Sequence, residues 1–444
     1  MSKNNAYRRK LRRGQTLGEI FVSYCNFAVS MQARYIITFI LLTLFMLSVD
    51  FYVWQGVKFL IHGISAKAKQ IVTYAFWGYT IFTFLFFASM PFMNVRHSST
   101  VFRITLSLIF AILILKIIWF VFIFIDDIIR AIRATGTEGN PFKAGNINRS
   151  KFLQWMGFGI GGVFLGSMIY GITKGAHKYT LHKKKLSIKG LPKAFNGLKI
   201  VQISDIHSGS FYDKSAVQKG VDMINSQKAD MIFFTGDLVN DRASELEPYK
   251  EMFSSIKAPL GVFSTLGNHD YGEYVRWNSQ EAKMQNLQDL IQHHKDMGWD
   301  ILMDEHRVIE KDGEQLAVLG VQNWSAKKNF PRYGDLAKAY KGSENIGTKL
   351  LLSHDPSHWK EEITQNPDYR DIAATFSGHT HGMQFGIDSK WYRWSPVKLV
   401  YKEWIDLYKE NDQQLYVNRG FGYLGFPGRV GIWPEISVFT LEQG

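Results

Sequence analysis

Long apolar runs dominate the first 175 residues of the chain, and mixed sequence follows them. A helix needs about 20 mostly apolar residues to cross the hydrocarbon core of a bilayer. Four runs meet that length: 35–54, 71–94, 104–125 and 152–173. The pattern predicts a multi-pass α-helical membrane domain over 35–175 with about four helices. Residues 1–34 are expected to form a basic N-terminus that is cytoplasmic or lies at the membrane interface.

Beyond an expected basic linker over 176–196, the pattern changes to short apolar strands that end in polar turns. Five strands are predicted: Leu198–Ser204, Met231–Thr235, Val262–Leu266, Leu350–Ser353 and Ala373–Ser377. Apolar residues at helical spacing lie between them, as in Ser215–Gln227 and Glu245–Ile256. Strands that alternate with helices predict an α/β domain over 197–444, with loops gathered at one sheet edge.

Basic residues beside the apolar runs bear on orientation, because Lys and Arg favour the cytoplasmic side of short loops. Basic clusters within 3–13 and 174–189 predict a cytoplasmic N-terminus and, after four crossings, a cytoplasmic C-terminal domain. The basic residues between 130 and 151 disagree with this orientation, which places their loop on the exterior side. Asn148–Leu153 also resembles a twin-arginine export signal that lacks one arginine. The alternative is therefore a C-terminal domain on the exterior.

The formal charge of +13 alone could indicate a nucleic-acid partner. Much of the excess positive charge lies beside the apolar runs, where Lys and Arg meet anionic headgroups. We therefore expect the basic residues to contact a membrane, and we expect no nucleic-acid partner. The single cysteine, Cys25, excludes an intramolecular disulfide and a Cys-based zinc cluster. A metal site must therefore use His, Asp, Glu or Asn. The sequence does not indicate an oligomeric state.

Two ionisable residues lie inside the apolar runs, Asp50 in the first and Lys116 in the third. Such groups are costly in hydrocarbon and usually face a partner or a water-filled cavity. The two residues fall at similar depth in runs that cross in the same direction, so they could form an ion pair. The other interpretation places Asp50 near the headgroups and lets Lys116 extend towards them.

The polar turns after the strands carry side chains suited to metal binding. Carboxylate and amide oxygens with imidazole nitrogens suit Mn, Fe or Zn better than Ca. Asp205 and His207 are two residues apart on extended chain and point to the same side. Asp237 could offer one oxygen to each of two metal ions. Glycines precede Asp237, Asn268 and His379, where they permit tight turns.

In chain order, these turns carry Asp-x-His, Gly-Asp, Gly-Asn-His-Asp, a lone His and Gly-His-x-His. Together they resemble the calcineurin-like metallophosphoesterase family over about residues 196–441. Ile203–Gly209 and Gly378–Gly382 are most similar to membrane-linked bacterial members, which implies a bacterial inner or cell membrane. The resemblance implies two mixed β-sheets flanked by helices. It also implies hydrolysis of a phosphate ester or pyrophosphate with two divalent metal ions.

The resemblance assigns a role to each motif residue. One metal ion would be held by Asp205, His207, Asp237 and His381, and the other by Asp237, Asn268, His354 and His379. His269 would bind no metal and would protonate the leaving oxygen or steady the phosphate. The membrane anchor suggests a membrane-proximal or lipid-linked substrate. The alternatives are a phosphodiesterase acting on soluble nucleotides and a non-catalytic membrane sensor or accessory protein with a phosphatase-like binding domain.

Other polar or aromatic features have less specific interpretations. Asp270 could orient its neighbour His269, and Asp241 and Arg242 either support the site or form a solvated turn. Ordinary surface or core positions are expected for the remaining histidines of this half: His293, His294, His306 and His358. The segment 383–408, rich in Trp, Tyr and Lys, predicts a lid, a membrane-facing surface or the packing of a C-terminal subdomain. The Gly-rich stretch 420–429 predicts a structured loop near the site.

Overall fold

The computed structural model describes residues 17–90, 99–135 and 150–444. They form two compact units, one from the described parts of 1–97 and 109–165, and the other from 98–108 and 166–444. The basic N-terminus before residue 17 lies outside the described residues. The same holds for most of the third loop, including Arg149 of the sequence that resembles an export signal. The orientation inferred from these charges therefore stays a prediction.

Four long helices precede the strands: α1 (Leu17–Leu60), α2 (Ala66–Ser89), α3 (Thr100–Thr135) and α4 (Lys151–Thr173). Each contains a segment long and apolar enough to cross a membrane, as predicted. Three helices differ from their predicted bounds by more than one residue. α2 begins five residues earlier because the Ser65 hydroxyl accepts a hydrogen bond from the Ala68 N–H and caps the helix. α1 and α3 extend beyond their apolar runs, since polar residues end such a run without ending a helix.

Within the first unit, Asp50 and Lys116 form a buried ion pair with 2.6 Å between Oδ1 and Nζ. The Thr80 hydroxyl donates to the other oxygen of Asp50 over 2.6 Å. The ammonium of Lys116 also lies 4.6 Å from the ring centre of Tyr79, where the π face stabilises a cation. The pairing interpretation is correct. The separate placement of both groups towards the headgroups is wrong, because each charge finds its counter-ion inside the helix bundle.

Fourteen strands follow along the described residues: β1 (Thr180–Ile188), β2 (Lys199–Ile203), β3 (Met231–Thr235), β4 (Val262–Thr265), β5 (Asp300–Ile301), β6 (Glu305–Lys311), β7 (Glu314–Gly320), β8 (Lys349–Leu352), β9 (Ile372–Ser377), β10 (Ile387–Asp388), β11 (Arg393–Trp394), β12 (Asp406–Glu410), β13 (Gln413–Val417) and β14 (Glu435–Gln443). They form two six-stranded mixed sheets, in the orders β1-β14-β2-β3-β4-β5 and β12-β13-β9-β8-β7-β6, and the hairpin β10-β11. The α/β architecture with two mixed sheets agrees with the prediction.

The segment 176–196 was expected to be a basic linker, but its residues Thr180–Ile188 form β1 of the first sheet. β1 runs parallel to β14 along its whole length and forms the edge of that sheet. Its side chains alternate between partly buried and exposed, with Lys183 and Lys185 pointing outwards. Lysines on an edge strand oppose edge-to-edge association. The charge that suggested a linker therefore protects a sheet edge.

The two sheets pack face to face, with helices on their outer faces. Phe233 and Phe263 of the first sheet meet Leu350 and Phe376 of the second in one buried cluster. The α-helices that follow β1 along the chain are α5 (Lys214–Ser226), α6 (Lys250–Ser254), α7 (Gln280–Asp296) and α8 (Leu336–Tyr340). The single helix predicted over 245–256 is instead two 3-10 turns followed by α6, because Pro248 has no N–H to continue a helix.

Parallel strands bring the polar turns to one edge of this sandwich. β2, β3 and β4 are parallel in the first sheet, and β7, β8 and β9 are parallel in the second. Each of the five predicted strands is present within one residue of its expected bounds. Because the carboxyl ends of parallel strands lie at the same sheet edge, the turns after β2, β3, β4, β8 and β9 converge.

Candidate metal centre

Two groups of candidate ligands lie at these strand ends. Asp205, His207 and His381 form the first group, and their ligand atoms are all within 4.8 Å of one another. His381 Nε2 is 3.0 Å from His207 Nε2 and 3.2 Å from Asp205 Oδ1. Asp237, His354 and His379 form the second group within the same limit. Six of the seven predicted ligands thus occupy two clusters of metal-site dimensions.

Asp237 lies between the two groups. Its Oδ2 is 3.1 Å from His354 Nε2 in the second group and 3.5 Å from His207 Nε2 in the first. Its Oδ1 accepts a hydrogen bond from the His269 N–H over 2.9 Å. One buried carboxylate therefore reaches both groups, as a bridging ligand must.

Asn268, the seventh predicted ligand, joins the second group. Its Oδ1 lies 2.7 Å from His379 Nδ1, and its amide nitrogen donates to the Tyr274 hydroxyl over 2.9 Å. The amide orientation therefore directs an oxygen, and not a hydrogen-bond donor, at the candidate site. Hard oxygen donors with imidazole nitrogens are the ligand types of Mn, Fe and Zn.

Hydrogen bonds on the outer side of His379 fix which ring nitrogen faces the site. The Tyr401 hydroxyl donates to Asp355 Oδ2 over 3.1 Å, so it accepts from His379 Nε2, which is 2.9 Å away. The Nδ1 lone pair of a neutral His379 consequently faces the Asn268 oxygen. Two acceptors at 2.7 Å repel each other unless a cation lies between them. The second group is therefore arranged for a cation.

His354 supports the same conclusion. Its Nδ1 is 2.7 Å from the Thr235 carbonyl, which can only accept, so Nδ1 carries a proton, and in the neutral form of His354 the lone pair is on Nε2. That lone pair faces Asp237 Oδ2 at 3.1 Å. Burial lowers the pKa of His354, but the Asp237 carboxylate outweighs burial and raises it to about 10. The Nε2 atom of His354 and the carboxylate of Asp237 therefore require a positive charge between them, and a metal ion supplies it.

The protonation states of the other ligands also suit metal binding. Burial raises the pKa of Asp237, but His354 and His269 offset this and hold it well below its usual range. Burial likewise opposes ionisation of Asp205, and His381 lowers its pKa nonetheless. Burial lowers the pKa of His207 well below its ordinary value. The site thus offers ionised carboxylates and a neutral imidazole.

The backbone around the ligands is strained. Five ligand residues adopt positive φ between 48° and 71°: Asp205, His207, Asp237, His379 and His381. A non-glycine residue in this region costs on the order of 1–3 kcal/mol, and such strain concentrates at functional sites. Gly378 permits close approach, since a Cβ there would lie 2.1 Å from Asp205 Oδ2. The turns thus adopt strained backbone conformations that bring the candidate ligands close together.

His269 lies beside the ligands without belonging to either group. Its Nδ1 is 2.7 Å from the Asn240 carbonyl oxygen and therefore carries a proton. Its ring meets that of His207 edge to face, with 5.0 Å between the centres. In the neutral form its Nε2 keeps a lone pair on the side away from Asn240. This position is consistent with a group that acts on substrate.

The expected role of Asp270 is wrong. Its carboxylate does not orient the His269 ring, which Asn240 holds. It accepts hydrogen bonds over 2.8 Å from the backbone N–H groups of Asp237, Leu238 and Gly267. Burial raises its pKa to about 7. Asp270 therefore ties the turn after β3 to the turn after β4 and positions Asp237 through the backbone.

The four histidines set aside by sequence have ordinary partners. His294 is buried with Nδ1 3.0 Å from the Ser264 hydroxyl, and burial lowers its pKa to about 3. His293 Nε2 lies 3.3 Å from a carboxylate oxygen of Glu247, His306 faces a backbone carbonyl, and His358 stacks on Trp324. The guanidinium of Arg242 lies over the Trp277 ring. None of these contacts includes a candidate ligand atom.

The sequence interpretation predicted no contact with the ligands for three residues near the site: Asp355, Tyr401 and Arg429. Asp355 directly follows His354, which was a usable signal. Tyr401 lies 22 residues beyond His379, and only the fold joins them. The buried guanidinium of Arg429 donates to the carbonyls of Gly420 and Gly422 and lies 3.1 Å from His381 Nδ1. The Gly-rich stretch is thus a structured loop at the site.

Comparisons with known proteins agree with this geometry. Residues 33–176 match the family described as probable calcineurin-like phosphoesterase, transmembrane domain, and residues 198–383 match calcineurin-like phosphoesterase. The Danio rerio protein named transmembrane protein with metallophosphoesterase domain is 29% identical over 282 residues, which are 62% of this chain and 60% of that protein. The chain thus spans about three fifths of this relative.

Two bacterial relatives extend the comparison. The uncharacterized metallophosphoesterase YkuE of Bacillus subtilis is 28% identical over 67% of this chain and 98% of its own length. The UDP-2,3-diacylglucosamine pyrophosphatase LpxG of Chlamydia trachomatis is 28% identical over 52% of this chain and 81% of its own length. Metal-dependent chemistry is general in this family, and both ligand groups fit it. The chain thus contains the transmembrane domain and the phosphoesterase domain of the calcineurin-like phosphoesterase family, and four of its helices are long and apolar enough to cross a membrane.

Proposed function

We propose that this chain hydrolyses a phosphate ester or pyrophosphate with two divalent metal ions. Asp205, His207, Asp237 and His381 would hold the first ion, and Asp237, Asn268, His354 and His379 would hold the second. The observation that carries the proposal is the position of Asp237 Oδ2, within 3.1 Å and 3.5 Å of imidazole nitrogens from the two groups.

The bound ions would polarise the phosphate oxygens and lower the pKa of a water that attacks phosphorus. The chain's own residues supply position and a proton. Asn240 holds His269 Nδ1–H, so a protonated Nε2 can donate to the leaving oxygen or to a phosphate oxygen. Asp355 and Tyr401 keep the Nδ1 lone pair of His379 directed at the second ion.

The donor set favours Mn, Fe or Zn as the metal. It combines three oxygen side chains with four imidazoles and contains no thiolate. The ligands are buried or nearly so, and two of them are carboxylates whose charge needs compensation. Divalent ions supply that compensation.

A membrane-proximal or lipid-linked substrate is proposed on two grounds. The chain is an integral membrane protein. Its relative LpxG carries the name of a pyrophosphatase for a diacylated sugar nucleotide. A cytoplasmic location of the phosphoesterase domain is proposed from the basic residues 174–189, with the exterior as the alternative. A soluble nucleotide substrate and a non-catalytic sensor are the competing functions.

A substrate panel tests these functions against one another. The full chain, in lipid nanodiscs with Mn²⁺, is given a diacylated nucleotide pyrophosphate, a phospholipid, a soluble nucleotide diester and an aryl phosphate. We expect release of phosphate or nucleotide from a lipid-linked substrate at the highest kcat/KM, and none with Asp237→Asn. Preference for the soluble diester would reject the substrate class. Absence of hydrolysis of every ester with Mn²⁺, Fe²⁺ or Zn²⁺ would reject the enzyme.

A further inference from the structure

Residues 383–402 of the second unit, called here the aromatic-basic segment, expose large apolar side chains to solvent. Trp391 is 95% exposed and Leu399 is 87% exposed. Further exposed members are Met383, Ile387, Tyr392, Trp394 and Val400. Large apolar side chains that are exposed together along one segment are typical of an interaction surface.

Basic residues are interleaved with these apolar side chains. Lys390, Arg393, Lys398 and Lys402 are all exposed. The one acidic residue, Asp388, is bound by Arg393 Nε at 2.9 Å and by Arg419 at 2.8 Å. The segment is therefore apolar and cationic at once. Trp and Tyr beside Lys and Arg are the combination that favours the interface of a bilayer with anionic headgroups.

The segment is folded, so its exposure does not result from disorder. β10 and β11 pair as a hairpin, and the Ser389 hydroxyl accepts from the Tyr392 N–H over 3.0 Å at its turn. The underside is packed, with Val397, Tyr401 and Trp404 in one buried cluster. One part of the segment stabilises the domain, whereas Trp391 and Leu399 on the outer part leave most of their side-chain surface exposed to solvent. Packing alone therefore does not account for the outer side chains.

Both ends of the segment are anchored within the second unit. It begins two residues after His381 and reaches Tyr401, which contacts His379. The Gly386 N–H donates to the Val430 carbonyl, and the adjacent Arg429 N–H donates to the Gly171 carbonyl over 3.2 Å. Gly171 lies in the last turn of α4, and a spanning helix ends at the headgroups. Backbone bonds thus hold the segment beside a helix end at that level.

We propose that the aromatic-basic segment lies in the headgroup region of the bilayer. Trp391 and Leu399 enter the boundary between headgroups and acyl chains, and Lys390 and Lys398 meet lipid phosphates. The segment begins two residues after His381, and its Tyr401 contacts His379. Contact of the segment with lipid therefore places the metal centre at the lipid surface. The inference stands on the exposed residues and their anchoring, and it holds whichever substrate is hydrolysed.

Site-directed fluorescence in proteoliposomes tests the proposal. Cys25→Ser removes the single cysteine, and a fluorophore is then attached at Leu399→Cys in the full chain. Ile160→Cys, exposed on the spanning helix α4, gives the response of a site in the membrane, and Gln288→Cys, exposed on α7, is the matched control in the second unit. With doxyl-labelled lipid, we expect strong quenching at Leu399→Cys, approaching that of Ile160→Cys. Quenching equal to that of Gln288→Cys would overturn the proposal.

A charge reversal tests the headgroup contact separately. In vesicles of phosphatidylcholine with phosphatidylglycerol, Lys390→Glu with Lys398→Glu should reduce quenching at Leu399→Cys severalfold. The change should be smaller in phosphatidylcholine alone. If the label responds to protein concentration and not to doxyl lipid, a second copy of the chain covers the segment and the membrane proposal fails.

Discussion

The hydroxyl of Tyr401 lies 2.9 Å from Nε2 of His379 and directs the other ring nitrogen of that histidine at Asn268. The hydroxyl is itself held by Asp355. A bond of this kind fixes the tautomer and the orientation of a ligand before metal binds. Partners behind metal ligands are important for affinity for this reason.

Tyr401→Phe should weaken binding of the second metal ion by about 10- to 100-fold, because His379 loses the acceptor that fixes its tautomer. Turnover at saturating metal should change much less. Metal titration of activity gives both quantities. Tyr340→Phe is the control, since that hydroxyl donates to Asp371 away from the site. Equal metal affinity in Tyr401→Phe and wild type would show that the bond has no positioning role.

His269→Ala should retain its metal content and lose turnover by about 10²- to 10⁴-fold, the usual effect of a general acid. The side chain lies beside the ligands and bonds Asn240, so its removal leaves both ligand groups intact. Metal analysis and kinetics on one preparation measure this, with His306→Ala as the control. Loss of one metal equivalent would mean that His269 is a ligand. Unchanged turnover on esters with poor leaving groups would remove its chemical role.

Asp270→Asn should destabilise the domain by about 1–3 kcal/mol, because the amide cannot accept all the backbone N–H groups that the carboxylate accepts. Metal binding should weaken as well, since Asp237 is positioned by these bonds. Thermal unfolding of the full chain, followed with and without Mn²⁺, reports both effects. Asp312→Asn, in the exposed β6–β7 turn, should behave as wild type. Normal stability with normal metal affinity would contradict this role.

Lys116→Met should destabilise the helix bundle by about 3–5 kcal/mol, because it leaves Asp50 buried without its counter-ion. The double variant Asp50→Leu with Lys116→Met should recover most of that loss, since it buries no charge. Unfolding in mixed detergent micelles gives both values. If the losses of stability measured for Asp50→Leu alone and Lys116→Met alone add up in the double variant, Asp50 and Lys116 do not stabilise each other.

The sequence predicted the strand-end ligands because their pattern is local. A short apolar strand followed by a polar turn identifies Asp205, His207 and Asp237 without any knowledge of pairing. The same local logic predicted four apolar helices and missed only their ends, where capping by Ser65 or continuation through polar residues decides the boundary.

What the sequence did not predict depends on contacts between distant segments. β1 pairs with β14 some 250 residues later, so its lysines resembled a linker. Tyr401 and Arg429 reach the ligands only after both sheets are assembled. Asp270 was misinterpreted because adjacency in the chain suggested His269, whereas its carboxylate bonds backbone groups of another turn.

Metal content measured together with hydrolysis in wild type and Asp237→Asn tests the two-metal account most directly. The full chain is purified in nanodiscs, loaded with Mn²⁺ and assayed on the best ester of the panel. We predict two metal equivalents and hydrolysis for wild type, and loss of both for Asp237→Asn, because one carboxylate serves both ligand groups. Full hydrolysis by Asp237→Asn, or by metal-free wild type, would contradict the account.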